Sequence, residues 1–184
     1  LGAIHPRKNL IGLIQAYEKF RVKTSAPVKL LIAGKLAWQV AEITQIHAQS
    51  PFRDDIIFLG YVAEDVSAQL MASALALCYL SFFEGFGLPV LEALCTDTPV
   101  ITSNTSSLPE VAGAAALLVD PHDTTAIALA MQRIWAEPEL RSELIEKGRQ
   151  QRQQFSWDEA ATKIYAVLES VAHKNKVKVE ELKS

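Results

Sequence analysis

Glu84 and Glu92 flank the segment Gly85-Phe86-Gly87-Leu88-Pro89, which follows an apolar run ending at Leu80. Glycines at 85 and 87 permit positive φ and let a ligand approach the backbone closely. Pro89 suits the first turn of a helix, where its missing N–H costs nothing. The pattern reads as a strand, a tight glycine loop and a helix whose unsatisfied N–H groups face a ligand, which makes a site for an anion or a polar oxygen. A carboxylate beside such a loop can accept two hydrogen bonds from a vicinal diol, so Glu84 and Glu92 could hold two sugars. The plainer alternative makes Glu92 a solvated helix residue and Gly85-Phe86-Gly87 an elbow.

Other chemistries fit the same residues less well. Val90 stands where a GxGxxG fingerprint needs its third glycine, and no serine lies between the glycines as a nucleophile elbow requires. A retaining glycosidase pair needs carboxylates about 5 Å apart, which a sequence separation does not establish. No His-Cys-Asp cluster has metal-ligand spacing, and His5, His47, His122 and His173 are isolated, so no protein-bound metal is expected.

An anion in this loop would need cations from elsewhere. Residues 1–35 hold seven Lys and Arg against Glu18 alone, whereas Arg53 is the sole Lys or Arg between Leu36 and Gln132. Arg7 and Lys8 follow Gly2-Ala3-Ile4, which could finish a first strand, and Lys35 follows Gly34 at the end of another apolar run. A diphosphate suits such residues, because Arg forks onto phosphate oxygens and Lys supplies a point charge. A solvated basic turn is the alternative at both places.

These residues need a frame that gathers strand ends. Val28–Ala33, Ile56–Leu59, Ala74–Leu80, Val100–Thr102 and Ala116–Val119 read as strands, and their continuous apolar character fits a sheet covered on both faces. Helical patterns cover Leu10–Val22, Trp38–Ala48, Glu64–Ser73, Leu88–Cys95 and Thr124–Trp135, the last capped by Asp123. Alternation of this kind implies parallel βαβ units, an α/β Rossmann-like sheet with helices on both faces, and ligands at the carboxyl ends of its strands. Two further helices, Pro138–Gln153 and Trp157–Ala172, are expected to pack back across the sheet, the second opened by the capping box of Ser156 and Glu159. A single Rossmann-like domain over 1–172 and a charged tail over 173–184 is the expected organisation.

Composition agrees with a folded α/β domain. Of 184 residues 49% are hydrophobic and 21% charged, and the net charge of −3 argues against a nucleic-acid partner held by phosphate neutralisation. The most apolar window, Met71–Phe83, is too short to span a bilayer, which takes about 20 apolar residues. The start Leu1-Gly2-Ala3-Ile4 lacks a methionine or a charged leader, so a signal peptide is not expected and the chain reads as part of a longer one. Cys78 and Cys95 are expected to be buried, unpaired small hydrophobes in a reducing, cytoplasmic setting.

The residues together resemble the C-terminal, donor-binding domain of glycosyltransferase family 4, enzymes of the two-domain GT-B fold. The likeness rests on Pro6-Arg7-Lys8-Asn9, Leu31-Ile32-Ala33-Gly34-Lys35, Phe58-Leu59-Gly60-Tyr61-Val62, the Glu84 to Glu92 segment, Pro99-Val100-Ile101, Ser106-Ser107-Leu108-Pro109-Glu110-Val111 and Phe155-Ser156-Trp157. The resemblance implies a retaining hexosyltransferase. Glu84 would contact the transferred sugar and Glu92 the ribose, with the backbone of Phe86, Gly87 and Leu88 facing sugar and phosphates. Lys8 would be half of a basic pair on the diphosphate. The family's arginine falls where this chain has Ala3, so Arg7 either substitutes for it or flanks the site. The base would lie near Tyr61, Val62 and the loop after Gly34, including Lys35. The donor would be GDP- or UDP-linked, with a lean to mannose, and neither a cofactor nor a metal is implied. The acceptor would sit on a separate N-terminal domain, so this chain alone would bind without turnover, and the inner face of the membrane could be reached through that missing half. Where the family commonly has glycine this chain has Asp97. A non-catalytic Rossmann-like binding or interaction module, and a sugar-phosphate isomerase or epimerase, are the competing readings.

Overall fold

The computed structural model describes the whole chain except Leu1, Ala3 and residues 25–27, 36–39 and 182–184, with no side-chain description for Val40 and residues 173–181. Two compact units result, Leu1–Arg152 and Gln153–Ser184. The first carries strands β1 (Leu30–Ala33), β2 (Ile56–Gly60), β3 (Leu77–Tyr79), β4 (Val100–Ser103) and β5 (Ala116–Val119). Its helices are α1 (Leu10–Val22), α2 (Val40–Gln49), α3 (Glu64–Ser73), α4 (Leu88–Cys95), α5 (Leu108–Ala112), α6 (Thr124–Ala136) and α7 (Pro138–Gln151). All strand pairing is parallel, as the alternation implied.

The strands form a pair β1-β2 and a trio β3-β4-β5. The facing edges, Leu30–Ile32 and Leu77–Tyr79, line an apolar cavity of about 420 Å³. Residues 4–7 tie the carboxyl ends of the two groups together: the Ile4 amide donates to the Lys35 carbonyl at 2.8 Å, and the Phe82 amide donates to the Arg7 carbonyl at 2.8 Å. Ile4 forms an isolated bridge, Gly2 takes φ +99 and is not in a strand, and Ala3 lies outside the described residues.

All four residues of β4 are buried, because helices cover both of its faces. Ile101 joins the core built by Leu13, Ile14, Tyr17 and Phe20 of α1 with Ile127, Met131 and Ile134 of α6. Val100 points to the opposite face and is as fully buried, where α4 and α5 pack on the strand and α7 packs on α4. The caps that start α1 and α6 are local. Asn9 Oδ1 accepts from the Gly12 amide, and Asp123 Oδ1 accepts from the amides of Thr125 and Ala126.

The departures from the sequence reading have physical causes. Strand β1 begins at Leu30 rather than Val28, because the Val28 carbonyl is taken by the Tyr17 hydroxyl and the Arg21 guanidinium. Strand β3 begins at Leu77 rather than Ala74, whose amide instead closes α3 by donating to the Met71 carbonyl. Helix α5, five residues with Pro109 in its first turn, carries too little periodicity to be read in advance. The expected start of α2 at Trp38 lies outside the described residues. Cys78 is partly buried beside the cavity, where its apolar surroundings push the thiol up to about 12, but Cys95 is exposed, contrary to expectation, at the end of α4.

The second unit consists of a 3-10 turn that begins within the first, Arg152–Gln154, and of helix α8 (Trp157–Glu181). The helix passes position 172 without a break, so the charged segment expected as a tail continues it to Glu181. Ile164, Tyr165, Val167 and Leu168 are exposed on it. Among the described residues no helix is long and apolar enough to cross a membrane.

Asp97 takes φ +55, the left-handed conformation glycine adopts readily. Arg149 holds its carboxylate from both oxygens, at 2.7 and 3.2 Å, and Arg152 adds a contact at 3.3 Å, which fastens the turn after α4 to the end of α7. Asp97→Ala should lower the thermal midpoint by a few degrees, since it keeps the strained φ and loses the ion pairs. Asp97→Gly should lower it less, because relief of the backbone offsets part of that loss. Equal midpoints for the two variants would contradict this account.

Candidate active site

The carboxyl ends of β1, β2, β3 and β4 lead into the segments that hold nearly every residue singled out from the sequence. Pro6–Lys8 forms a 3-10 turn after Ile4, with the His5 ring nitrogen accepting from the Arg7 amide. Asn9 follows at φ +53, and its Nδ2 donates to the Pro121 carbonyl at 2.6 Å. That buried hydrogen bond anchors the basic turn to the loop before α6.

Lys8 and Glu84, 76 positions apart, meet directly. Lys8 Nζ donates to Glu84 Oε1 at 2.7 Å and to the Tyr79 hydroxyl, and it lies 4.5 Å from the centroid of the Tyr79 ring. Arg7 NH1 reaches Glu84 Oε2 at 2.6 Å, and the Ser81 hydroxyl donates to Oε1 at 2.7 Å. The carboxylate therefore has two cations and a hydroxyl on its two oxygens. Burial alone would raise the Glu84 pKa, but the hydrogen bonds from Lys8, Ser81 and Arg7 outweigh burial and hold it at about 2. The Tyr79 hydroxyl is pushed well above its usual range by burial and by the neighbouring Glu84 charge, so it stays protonated.

The loop carrying Glu84 is fixed by hydroxyls from the segment after β4. The Glu84 amide donates to Ser106 Oγ at 3.1 Å, while Ser107 Oγ donates to the carbonyls of Glu84 and Phe86 at 2.9 and 2.7 Å. The ring of Phe82 stacks on His122, with centroids 4.7 Å apart. Gly87 caps α4 at φ +109, and a Cβ there would come 2.8 Å from Leu108 Cδ2. No side chain caps α4, Pro89 carries no N–H and the amides of Val90 and Leu91 donate to the Gly87 carbonyl, so in the first turn the Leu88 amide, beside the exposed Phe86, is the donor left for a ligand. Glu92 is exposed, one turn further along the same helix.

A second group sits at the ends of β1 and β2. The Gly34 amide donates to the Gly60 carbonyl at 2.7 Å, and Lys35 Nζ lies 5.4 Å from the centroid of the exposed Tyr61 ring. Val62 is half-buried beside it. Lys35 thus pairs with an aromatic face, whereas Lys8 and Arg7 pair with the carboxylate. The structure brings Lys8, Arg7 and Glu84 into contact and puts Leu88 and Glu92 on one helix, with Gly87 at its cap. The arginine position of the resemblance, Ala3, lies outside the described residues.

Sequence reasoning did not single out Tyr79 or Ser81 as site residues. Tyr79 looked like one more apolar residue of a strand and Ser81 like an interruption of it. The available signal was a polar tip on the last residue of a strand that points at a carboxylate loop.

Residues 1–151 match the family described as glycosyl transferases group 1. The O-antigen chain mannosyltransferase B of Escherichia coli is 37% identical over 162 residues, 88% of this chain and 42% of that protein. The MMP alpha-(1->4)-mannosyltransferase of Mycolicibacterium hassiacum is 29% identical over 177 residues, 89% of this chain and 40% of that protein. Among solved structures, sucrose-phosphate synthase from Thermosynechococcus elongatus superposes with a TM-score of 0.79 at 26% identity, covering 92% of this chain and 44% of that one. Anabaena Alr3699/HepE in complex with UDP and glucose gives 0.81 at 21% identity over 92% of this chain and 47% of that one, a likeness of fold alone. These solved structures are GT-B glycosyltransferases, so the expected α/β architecture holds. The chain spans about two fifths of the length of the two mannosyltransferases. On its match over residues 1–151, the chain belongs to the glycosyl transferases group 1 family.

Proposed function

We propose that this chain is the C-terminal, donor-binding half of a retaining family 4 glycosyltransferase that moves a hexosyl group, mannose in the first instance, from a GDP- or UDP-linked donor. The observation that carries the reading is the meeting of Lys8 and Arg7 on Glu84 beside the uncapped amino end of α4. The mannosyltransferases among its relatives favour mannose.

In this reading the diphosphate lies against the amino end of α4, within reach of the Leu88 amide, and draws Lys8 and Arg7 toward itself, since a diphosphate outcompetes one carboxylate for two cations. Glu84, released from them, hydrogen-bonds the sugar hydroxyls. Glu92 accepts from the ribose hydroxyls, and the base lies toward Tyr61, Val62 and Gly34-Lys35. Transfer breaks the bond from the anomeric carbon to the diphosphate and forms one from the acceptor oxygen on the same face. The acceptor proton passes to the leaving diphosphate oxygen, whose charge Lys8 and the amino end of α4 stabilise. The acceptor is held mainly by the other half of the enzyme, so the 184-residue chain binds donor without turning it over.

Calorimetric titration of the folded chain with UDP, GDP and ADP tests the reading. One of them should bind, and Glu92→Ala should weaken that binding about tenfold through lost charge-assisted hydrogen bonds. A folded sample that binds none of the three removes the assignment. The rival reading, an interaction module without transfer activity, predicts binding but no donor turnover once the acceptor-binding half is restored.

A further inference from the structure

We propose that Tyr79 is a positioning residue, which holds the Lys8 ammonium where the donor's diphosphate will meet it. The inference rests on the donor-site reading above and adds a residue that reading does not use. Lys8 extends from a 3-10 turn, and a lysine has four rotatable bonds, so an unsupported ammonium would sample many positions at an entropic cost on binding. Tyr79 removes that freedom. Its ring is buried at the end of β3, and its hydroxyl accepts from Lys8, whose Nζ lies 4.5 Å from the ring centroid. The backbone beneath is rigid, because Tyr79 pairs with Thr102 in register and its carbonyl accepts from the buried Thr102 hydroxyl at 2.8 Å.

The hydroxyl also couples Lys8 to Glu84. Lys8 donates both to this hydroxyl and to Glu84 Oε1, so the three groups are joined through the shared ammonium. Of the three ammonium hydrogens, one goes to Glu84 and one to Tyr79, which leaves a third for an incoming phosphate oxygen. When the diphosphate takes over the Glu84 contact, Tyr79 retains its own, so Lys8 moves a short way about a fixed tether instead of searching.

The test compares binding of the nucleoside diphosphate that the chain accepts with binding of the corresponding nucleoside, in the wild-type chain and in Tyr79→Phe, Tyr79→Met and Lys8→Met. Tyr79→Phe should weaken diphosphate binding about tenfold and leave the nucleoside unchanged, at a thermal midpoint close to wild type. Tyr79→Met, which also removes the ring, should weaken it further with the same selectivity and supplies a second variant should either fold poorly. In the Lys8→Met background, Tyr79→Phe should cost nothing more, since a positioning residue acts only through the group it positions. Wild-type binding retained in Tyr79→Phe overturns the proposal, as does an equal loss for diphosphate and nucleoside, which marks a purely structural role. A folded wild-type chain that binds no nucleoside diphosphate overturns the donor-site reading itself, and Tyr79's role falls with it.

Discussion

Glu84→Gln is expected to do opposite things to binding and to transfer. Glutamine keeps the shape and removes the charge that occupies Lys8 and Arg7, so both cations become free for phosphate and the chain should bind its nucleoside diphosphate several-fold more tightly. Transfer by the complete enzyme should fall on the order of 100-fold, because the group placed on the sugar loses its charge-assisted hydrogen bonds, and electrostatic contacts to the reacting centre are worth about that much. A parallel loss of binding and transfer would contradict the assignment of Glu84 to the sugar.

The same variant should be less stable at neutral pH, by about 1–3 kcal/mol, since the largely buried ammonium of Lys8 loses its counter-charge. The pH dependence has a definite sign. The Glu84 carboxyl sits at about 2 in the folded protein against 4.5 for an ordinary glutamate, so the contribution of its ionised form is complete above about 4.5 and disappears as the pH falls toward 2. Urea unfolding of wild type and variant at pH 7, 4.5 and 2.5 should show a constant gap between the first two conditions and a much smaller one at the third. A gap unchanged at pH 2.5 would mean that the ion-pair cluster does not form in solution.

The second large effect is at Gly34. Its φ of +153 disfavours any side chain, and a Cβ would lie 1.8 Å from the carbonyl oxygen of Gly2. That neighbour is backbone, which cannot rotate away, so relief requires moving the segment that carries Ile4 and, beyond it, Lys8. Gly34→Ala should therefore destabilise the fold by about 2–4 kcal/mol, in the range of strain at a special backbone conformation. It should also weaken diphosphate binding more than nucleoside binding, through displacement of Lys8. Gly85→Ala is the control, because a Cβ there meets nothing within 4 Å and the stability should stay near wild type. Equal stabilities for the two variants would show that Gly2 does not pack on Gly34 as described.

What could be read from the residues follows from short-range physics. The helices Leu10–Val22, Glu64–Ser73 and Leu88–Cys95 have the bounds their apolar spacing implies. The strands end at Gly34, Gly60 and the Ser81 loop because the residues there cannot extend an apolar ladder. The glycines around Glu84, the basic residues near the start and the family likeness were all visible in order along the chain. Their contact was not, since a charged pair 76 positions apart leaves no periodic trace. Only the folded chain, by bringing the ends of β1, β3 and β4 to one side, decided that Arg7 grips Glu84 rather than water. It also decided that Tyr79, an ordinary strand residue by its pattern, lies under Lys8, and that serines after β4 brace the glycine loop. Local sequence sets backbone propensity and burial periodicity, whereas the partner of a charge is set by which strand ends the fold brings to one side, a property of the topology as a whole.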